Sequence, residues 1–418
     1  MSSESLSTEH AEWFRWSDEL NRADYVFARY RIVTAQAVEV VALAMAREQS
    51  ACTTTLPIGD LDLRAHTARV VSIDNHGPSD VRALPRYRLT TSVYADVAQA
   101  EQAHAYEVEI AYPIANLKPT ASCLLNHCYG EIARLGFLDA AKLLSLDLPT
   151  SFEVQFPGPR LGASGFRAKV GAKDRPFFCR STRPAVGLNN AQLLQVIEPV
   201  LRGGFDAIKD DELSEDIAPS RVEERYRGMA ETRARLVAET GENKVLFANL
   251  IAEDQFEPIA ACALRHGIDG VLVAPGLNGF GAIRRARELG FIVLAHNAGV
   301  DGLVRPLHVG ISEAVWTQLC RLSGADLIMM PGEFGGGTAV RTANTAEAAV
   351  IDACIRPMSG HAAALPVLAG GKRPERLPIY QSIVGSDDYF LIIATAVDDH
   401  PEGLEVGARA FRQAATGA

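Results

Sequence analysis

The sequence has no CxxC pair, no apolar run long enough for a bilayer and no surplus of basic residues. Seven cysteines are scattered at positions 52, 123, 128, 179, 262, 320 and 354. Without paired spacing they predict neither a disulfide framework nor a structural zinc, and they suit a reducing compartment. A membrane helix needs roughly 18 or more consecutive apolar residues, and no run approaches that. The opening MSSESLSTEHAEWF lacks the basic and apolar regions of a secretory leader, so a bacterial-type cytoplasm is the expected setting. A formal net charge of −10 argues against the basic surface that displaces counterions from nucleic acid. Any anionic substrate must therefore be held by a local cluster of donors.

What is present is a composition of 48% hydrophobic and 22% charged residues, the balance of a globular protein with a large core. At 418 residues the chain suits a small domain plus a (β/α)8 barrel, which alone takes about 250 residues. From Asp24 to Asp147 extended runs (Tyr25–Val33, Ala68–Ile73, Tyr87–Val93, Tyr106–Tyr112) mix with helical stretches (Ala37–Ala46, Leu124–Leu144). That mixture predicts an α+β, ferredoxin-like domain over residues 1–150, with one antiparallel sheet covered by helices. The Gly-, Pro- and Arg-rich segment Phe156–Lys173 has no sustained period and marks the boundary region.

Over residues 151–418, eight short β-rich runs alternate with helical stretches. The runs are Pro176–Thr182, Phe205–Lys209, Lys244–Asn249, Gly270–Ala274, Ile292–His296, Asp326–Met330, Pro366–Ala369 and Tyr389–Ala394. Parallel strands joined by right-handed helical crossovers close into a barrel at eight. The expected fold class is therefore α/β, a C-terminal TIM barrel with its chemistry at the C-terminal strand ends.

The second run ends in Lys209-Asp210-Asp211-Glu212. By the strand period of 2, Lys209 and Asp211 share one side, and oxygen ligands at this spacing suit Mg2+. A solvated charged turn is the alternative for so short a charge run. The longer stretch RGGFDAIKDDE that contains it resembles the signature of the RuBisCO large-chain family. That resemblance implies a carbamylated Lys209 that binds magnesium together with Asp211 and Glu212. It continues from about Tyr25 to Phe411, through FPGPRLG at Phe156–Gly162, LSGAD at Leu322–Asp326, LPVLAGG, PxxxxxxGxDxxF and HPEG in order.

The family's active-site glutamate and phosphate-contacting threonine fall on Glu48 and Thr53, and its interface asparagine on Asn126. Asn126 also reads as an ordinary polar residue near a helix start. The family's strand-five histidine falls on His296, which equally reads as a satisfied core residue, and the arginine that follows it is here Asn297. In that family the site lies between one subunit's barrel and its partner's N-terminal domain, so a homodimer is implied.

The departures bear on function. The position of the carboxylase's base lysine is Arg183, and a guanidinium cannot accept a proton near neutral pH. The loop from Met330 to Gly337 holds no lysine either, so carbon dioxide fixation is not expected. Its Gly335–Gly337 triplet, after Glu333 and Phe334, reads as a lid, an anion cradle or a bare turn. Gly370 and Gly371 are retained, with Lys372 and Arg373 behind them, while Ala369 and Ala394-Thr395-Ala396 replace other phosphate contacts. A substrate with one phosphate, at Gly370-Gly371 with Thr53 and either Lys372 or Arg373, fits better than a bisphosphate.

A magnesium platform without a base lysine suits decarboxylation of a β-keto acid, because the departing CO2 itself leaves the carbanion. The expected reaction resembles that of RuBisCO-like enzymes of apionate breakdown acting on 3-oxo-isoapionate 4-phosphate through an enediolate, with Arg183 holding the substrate carboxylate. Three alternatives stay open: hydrolytic C–C cleavage of the same acid with His296 or Glu48 as base, a methionine-salvage enolase or isomerase, and a non-catalytic oligomeric binding protein.

Overall fold

The computed structural model describes residues 11–51, 62–85, 99–214, 219–252, 254–330 and 342–417. By internal contacts the chain divides into two compact units, Met1–Phe156 with Gly302–Trp316, and Pro157–Asp301 with Thr317–Ala418. The sequence boundary at 150/151 is thus shifted by a few residues. The segment Gly302–Trp316, counted with the barrel from its position in the chain, belongs with the first unit.

The first unit is built on a five-stranded sheet, β1 (Tyr25–Gln36), β2 (Arg69–Pro78), β3 (Gln99–Pro113), β4 (Ala140–Asp147) and β10 (Val309–Ile311), in the order β10-β4-β1-β3-β2. Four of these strands run antiparallel, but β10 pairs with β4 in parallel, so the sheet is mixed. The expected helix Leu124–Leu144 divides into a helix, a 3-10 turn at Ile132–Arg134 and a strand. A helix over Ala121–Tyr129, capped by the Thr120 side chain on the Cys123 amide, stops early, and Ala140–Asp147 is β4. AAKLLSLD has helix-forming residues, yet two neighbouring strands satisfy its backbone, and tertiary pairing overrides propensity. The extended run Tyr87–Val93 lies outside the described residues, as do Thr53 and the loop around Glu333–Gly337.

The second unit is the barrel. Its strands are β5 (Phe177–Ser181), β6 (Ala207–Lys209), β7 (Val245–Asn249), β8 (Gly270–Val273), β9 (Ile292–Ala295), β11 (Leu327–Met329), β12 (Leu365–Leu368) and β13 (Phe390–Ile392), closed in that order with every pairing parallel. All eight fall on the runs read from the sequence. The helices Gly162–Val170, Leu377–Val384 and Leu404–Thr416 were not foreseen. No helix among the described residues is long and apolar enough to cross a membrane.

Alternation decides what fills the interior. Phe177 and Cys179, Val245 and Phe247, Ile292 and Leu294, Leu327 and Met329, Leu365 and Val367, and Phe390 and Ile392 all belong to one buried cluster. Each pair is two residues apart, as a pleated strand requires of side chains on one face. Phe166, from the helix Gly162–Val170, packs edge-on against Phe177 at 5.0 Å and Phe390 at 5.6 Å between ring centroids. That end of the barrel is therefore packed with side chains. Continuing the same parity upward brings Ser181, Lys209, Asn249, His296, Ala369 and Ala394 to the opposite, C-terminal rim.

The segments FPGPRLG and LSGAD meet through one carboxylate. Asp326 accepts hydrogen bonds from the backbone amides of Leu161 at 2.6 Å, Gly162 at 2.9 Å and Val293 at 3.0 Å. Gly162 has φ +60°, and a Cβ there would come within 2.5 Å of the Ala363 carbonyl oxygen, so only glycine fits. Asp326 is fully buried, and each donor it leaves unpaired costs about 1–3 kcal/mol. We expect Asp326→Ala to lower stability by about 3 kcal/mol or more, read by urea denaturation; a loss under ~1 kcal/mol would show that the three amides find other partners.

Candidate active site

At the C-terminal rim, a cavity of ≈ 280 Å³ is lined by Ser181 at the end of β5 and Arg183 after it, Lys209 at the end of β6 and Glu212 after it, and His296 and Asn297 after β9. Gly370, Gly371 and Lys372 after β12, Ala394-Thr395-Ala396 after β13, and the apolar Met329, Met330 and Ile392 complete its lining. The volume approaches the ~300 Å³ at which small-molecule sites begin, room for a small sugar derivative.

Lys209 is the centre of the arrangement. Its side chain is only 1% exposed, and its Nζ donates to Glu212 Oε2 at 2.9 Å and to the Asp210 carbonyl at 3.2 Å. Burial raises the Glu212 carboxyl, but the charge and hydrogen bond of Lys209 outweigh it and hold that carboxyl down at about 2. Asp211 is equally buried. Its Oδ2 accepts from Ser181 Oγ at 2.8 Å and from Arg183 Nε at 3.1 Å, and its Oδ1 from the Leu213 amide at 3.1 Å.

Arg183 also brings Nη2 to 3.8 Å from Glu212 Oε1, while its side chain stays 53% exposed. Its remaining guanidinium N–H groups are available to a ligand. Asp211 and Glu212 are the hard-oxygen donors that could hold a magnesium ion. The Lys209 ammonium has no lone pair to offer one.

His296 is held as a neutral ring. The Ala298 amide donates to its Nδ1 at 3.0 Å, so the ring proton sits on Nε2, 3.5 Å from Glu212 Oε2. Burial first, then the Lys209 charge, pushes the imidazole down to about 4 against the pull of Glu212 and Asp211. The ring therefore presents an N–H toward Glu212, which makes it a hydrogen-bond donor rather than a base. Gly370 and Gly371 both adopt left-handed backbone, at φ +73° and +57°. Lys372 is buried, with Nζ 5.0 Å from the Tyr380 ring centroid.

Glu48 and Asn126 belong to the first unit and are not among the residues lining this cavity. Glu48 ends the helix Val38–Glu48, and burial raises its carboxyl. The next residue, Gln49, donates to the Asn126 and His127 carbonyls at 2.9 and 2.7 Å, which joins the two segments.

Two supporting residues escaped the sequence reading. Asn249, last in β7, donates Nδ2 to the Asp211 and Glu212 carbonyls at 3.2 and 3.3 Å. Arg180, paired with Asp398, donates to the Ser181 carbonyl at 2.8 Å and the Arg183 carbonyl at 3.3 Å. Asn249 was findable, as a polar residue at a strand end with inward parity; Arg180 points the other way and gave no signal.

In the metal-free protein the two shifted groups act in the same direction. Unfolded chain protonates His296 near 6.5 and folded chain near 4, so stability is whole above pH ~6.5 and falls as pH drops toward ~4, by up to ~1.4 kcal/mol per pH unit for one such group. Glu212 adds a further loss between 4.5 and about 2. His296→Gln is expected to flatten the first segment of a urea-denaturation series between about pH 7 and 4.5; a slope equal to that of the unsubstituted protein would rule the histidine out as its source.

Residues 162–418 match the family described as ribulose bisphosphate carboxylase large chain, catalytic domain. A ribulose bisphosphate carboxylase-like protein of Chlorobaculum tepidum is 27% identical over 406 residues, 96% of this chain and 91% of that one. The 2,3-diketo-5-methylthiopentyl-1-phosphate enolase of Geobacillus kaustophilus is 29% identical over 359 residues, 84% of this chain and 82% of that one. Among solved structures, a rubisco-like protein from Burkholderia fungorum superposes with a TM-score of 0.81 at 26% identity, covering 94% of each chain.

Proposed function

We propose a function from one premise: this chain belongs to the RuBisCO large-chain family and is a RuBisCO-like protein, form IV. Its reaction, in this reading, is the magnesium-dependent decarboxylation of a phosphorylated 3-oxo sugar acid such as 3-oxo-isoapionate 4-phosphate, without carbon dioxide fixation.

The observation that carries the reading is Arg183. It stands at the cavity rim beside both candidate metal carboxylates, at 3.1 Å from Asp211 and 3.8 Å from Glu212. A permanent cation there cannot take a proton from carbon, but its free N–H groups match a carboxylate in fork geometry. Neutral His296 offers Nε2–H, so it too serves as a donor to a substrate oxygen. A site poor in bases suits a reaction that breaks a C–C bond and leaves the electron pair on carbon.

The metal fits on a condition that the donor set states. Asp211 and Glu212 supply oxygens, and Lys209 joins them only as its carbamate, which turns a cation into an anionic oxygen ligand. A bound magnesium ion would polarise the substrate ketone and stabilise the charge that develops on its oxygen. Arg183 orients the carboxylate that leaves. Gly370, Gly371 and Lys372 hold the single phosphate.

A second reading, enolisation in methionine salvage, is favoured by the identity with the Geobacillus enolase. It requires a general base for a C–H proton, and at the rim Lys209 and Glu212 are bound to each other while His296 presents Nε2–H. In either reading a homodimer would bring Glu48, Thr53 and Asn126 to the partner's barrel.

The test incubates the protein with Mg2+, bicarbonate and 3-oxo-isoapionate 4-phosphate, with products followed by NMR. CO2 and one ketose phosphate are expected. Two fragments would instead indicate hydrolytic cleavage, turnover of only the diketo-methylthiopentyl phosphate would assign methionine salvage, and binding without turnover would leave a non-catalytic protein. Lys209→Ala should remove metal-dependent activity, and stripping dissolved CO2 before assay should reduce it. Arg183→Lys, which keeps the charge but loses the fork, should lower kcat/KM on the order of 10²-fold, about 2.7 kcal/mol of transition-state stabilisation; an unchanged value would remove Arg183 from the substrate contact.

A further inference from the structure

A second group of metal-ligating side chains lies on the helices of the barrel unit rather than at its strand ends. Cys262 and His266 are four residues apart, at the end of the helix Phe256–Arg265 and on its C-cap, and that spacing places them on one face. Glu223, from the helix Pro219–Thr240, reaches both: its Oε2 accepts from Cys262 Sγ at 3.3 Å, and its Oε1 lies 2.5 Å from His266 Nε2. The three ligand atoms all fall within 4.8 Å of one another. Four ligands around zinc stand roughly 3.3–3.7 Å apart for bonds of about 2.0–2.3 Å, so only small side-chain movements separate this cluster from a coordination sphere.

We propose that Glu223, Cys262 and His266 form a metal site, independent of the barrel rim, that takes a borderline-soft divalent ion such as Zn2+ and clips together the helices following β6 and β7. One sulfur, one nitrogen and one carboxylate favour zinc over magnesium or calcium. A cavity of ≈ 230 Å³ lined by Glu223, Gln255, Ile259, Cys262 and Arg265 adjoins the cluster and leaves space for water as a fourth ligand. Arg265, which pairs with Glu223 at 2.6 Å, is 61% exposed and free to swing into solvent when the carboxylate turns to an ion. Burial and Glu223 hold the Cys262 thiol up at about 11. The ion takes the thiolate, so one proton leaves for each ion bound. No CxxC signature marks the site because its third ligand lies 39 residues from the cysteine.

Cobalt serves as the probe, since a thiolate bound to Co2+ absorbs in the near ultraviolet. The full-length protein should bind one thiolate-coordinated Co2+ per chain, displaced by Zn2+ and not by excess Mg2+, with affinity rising about tenfold per pH unit as one proton is released. Cys262→Ser should abolish the band, and Glu223→Gln should weaken Zn2+ binding at least ~10-fold. No band in the unsubstituted protein, or a band that survives Cys262→Ser, overturns the proposal and leaves Glu223, Arg265 and His266 as an ion-pair network. Where a variant fails to fold, alkylation of Cys262 in the unsubstituted protein decides: zinc-dependent protection supports the site, and equal labelling with and without zinc refutes it.

Discussion

A lysine removed from water must be met by an acceptor, and the barrel rim is arranged around meeting Lys209. An ammonium left alone in a buried position loses its hydration without replacement, and removing the partner of a buried pair costs about 3–5 kcal/mol. Glu212 meets that need at 2.9 Å, which turns its carboxylate toward Lys209 rather than out to solvent. The same charge helps to keep His296 neutral. Asp211 is held by Ser181 and Arg183. Three strands, β5, β6 and β9, thereby contribute to one electrostatic unit.

Support for that unit comes from residues that are not among those lining the rim cavity. Asn249 ties down the backbone of Asp211 and Glu212, and Arg180 ties down that of Ser181 and Arg183. At the other end of the strands, Asp206 accepts from Arg175 at 2.6 Å and from the Phe178 amide at 2.9 Å, and so joins β5 to β6. These contacts order the strand ends, so the charged groups need not find their positions one at a time.

The barrel was legible because each strand carries its own signal, a short β-rich run. The β4 strand was not. AAKLLSLD reads as helix locally, and only pairing with β1 and β10, from distant parts of the chain, makes it a strand. The segment Gly302–Trp316 departs from its position in the chain for a related reason. Its place in the chain is between barrel strands, but its backbone partners are in the other sheet.

Local sequence determined the eight barrel strands, the magnesium-suited carboxylates beside Lys209, and the substitution of a guanidinium for a base at position 183. Those properties belong to residue types and to periods of 2 and 3.6, which a chain carries before it folds. Tertiary structure decided which groups meet. It paired Lys209 with Glu212 and Arg183 with Asp211, placed the ring proton of His296 on Nε2, and drew Glu223 to Cys262 and His266. Such contacts depend on strands and helices far apart in sequence closing to within a few ångströms, and hydrogen-bond and ion-pair energies vary too steeply over that distance for spacing alone to specify them.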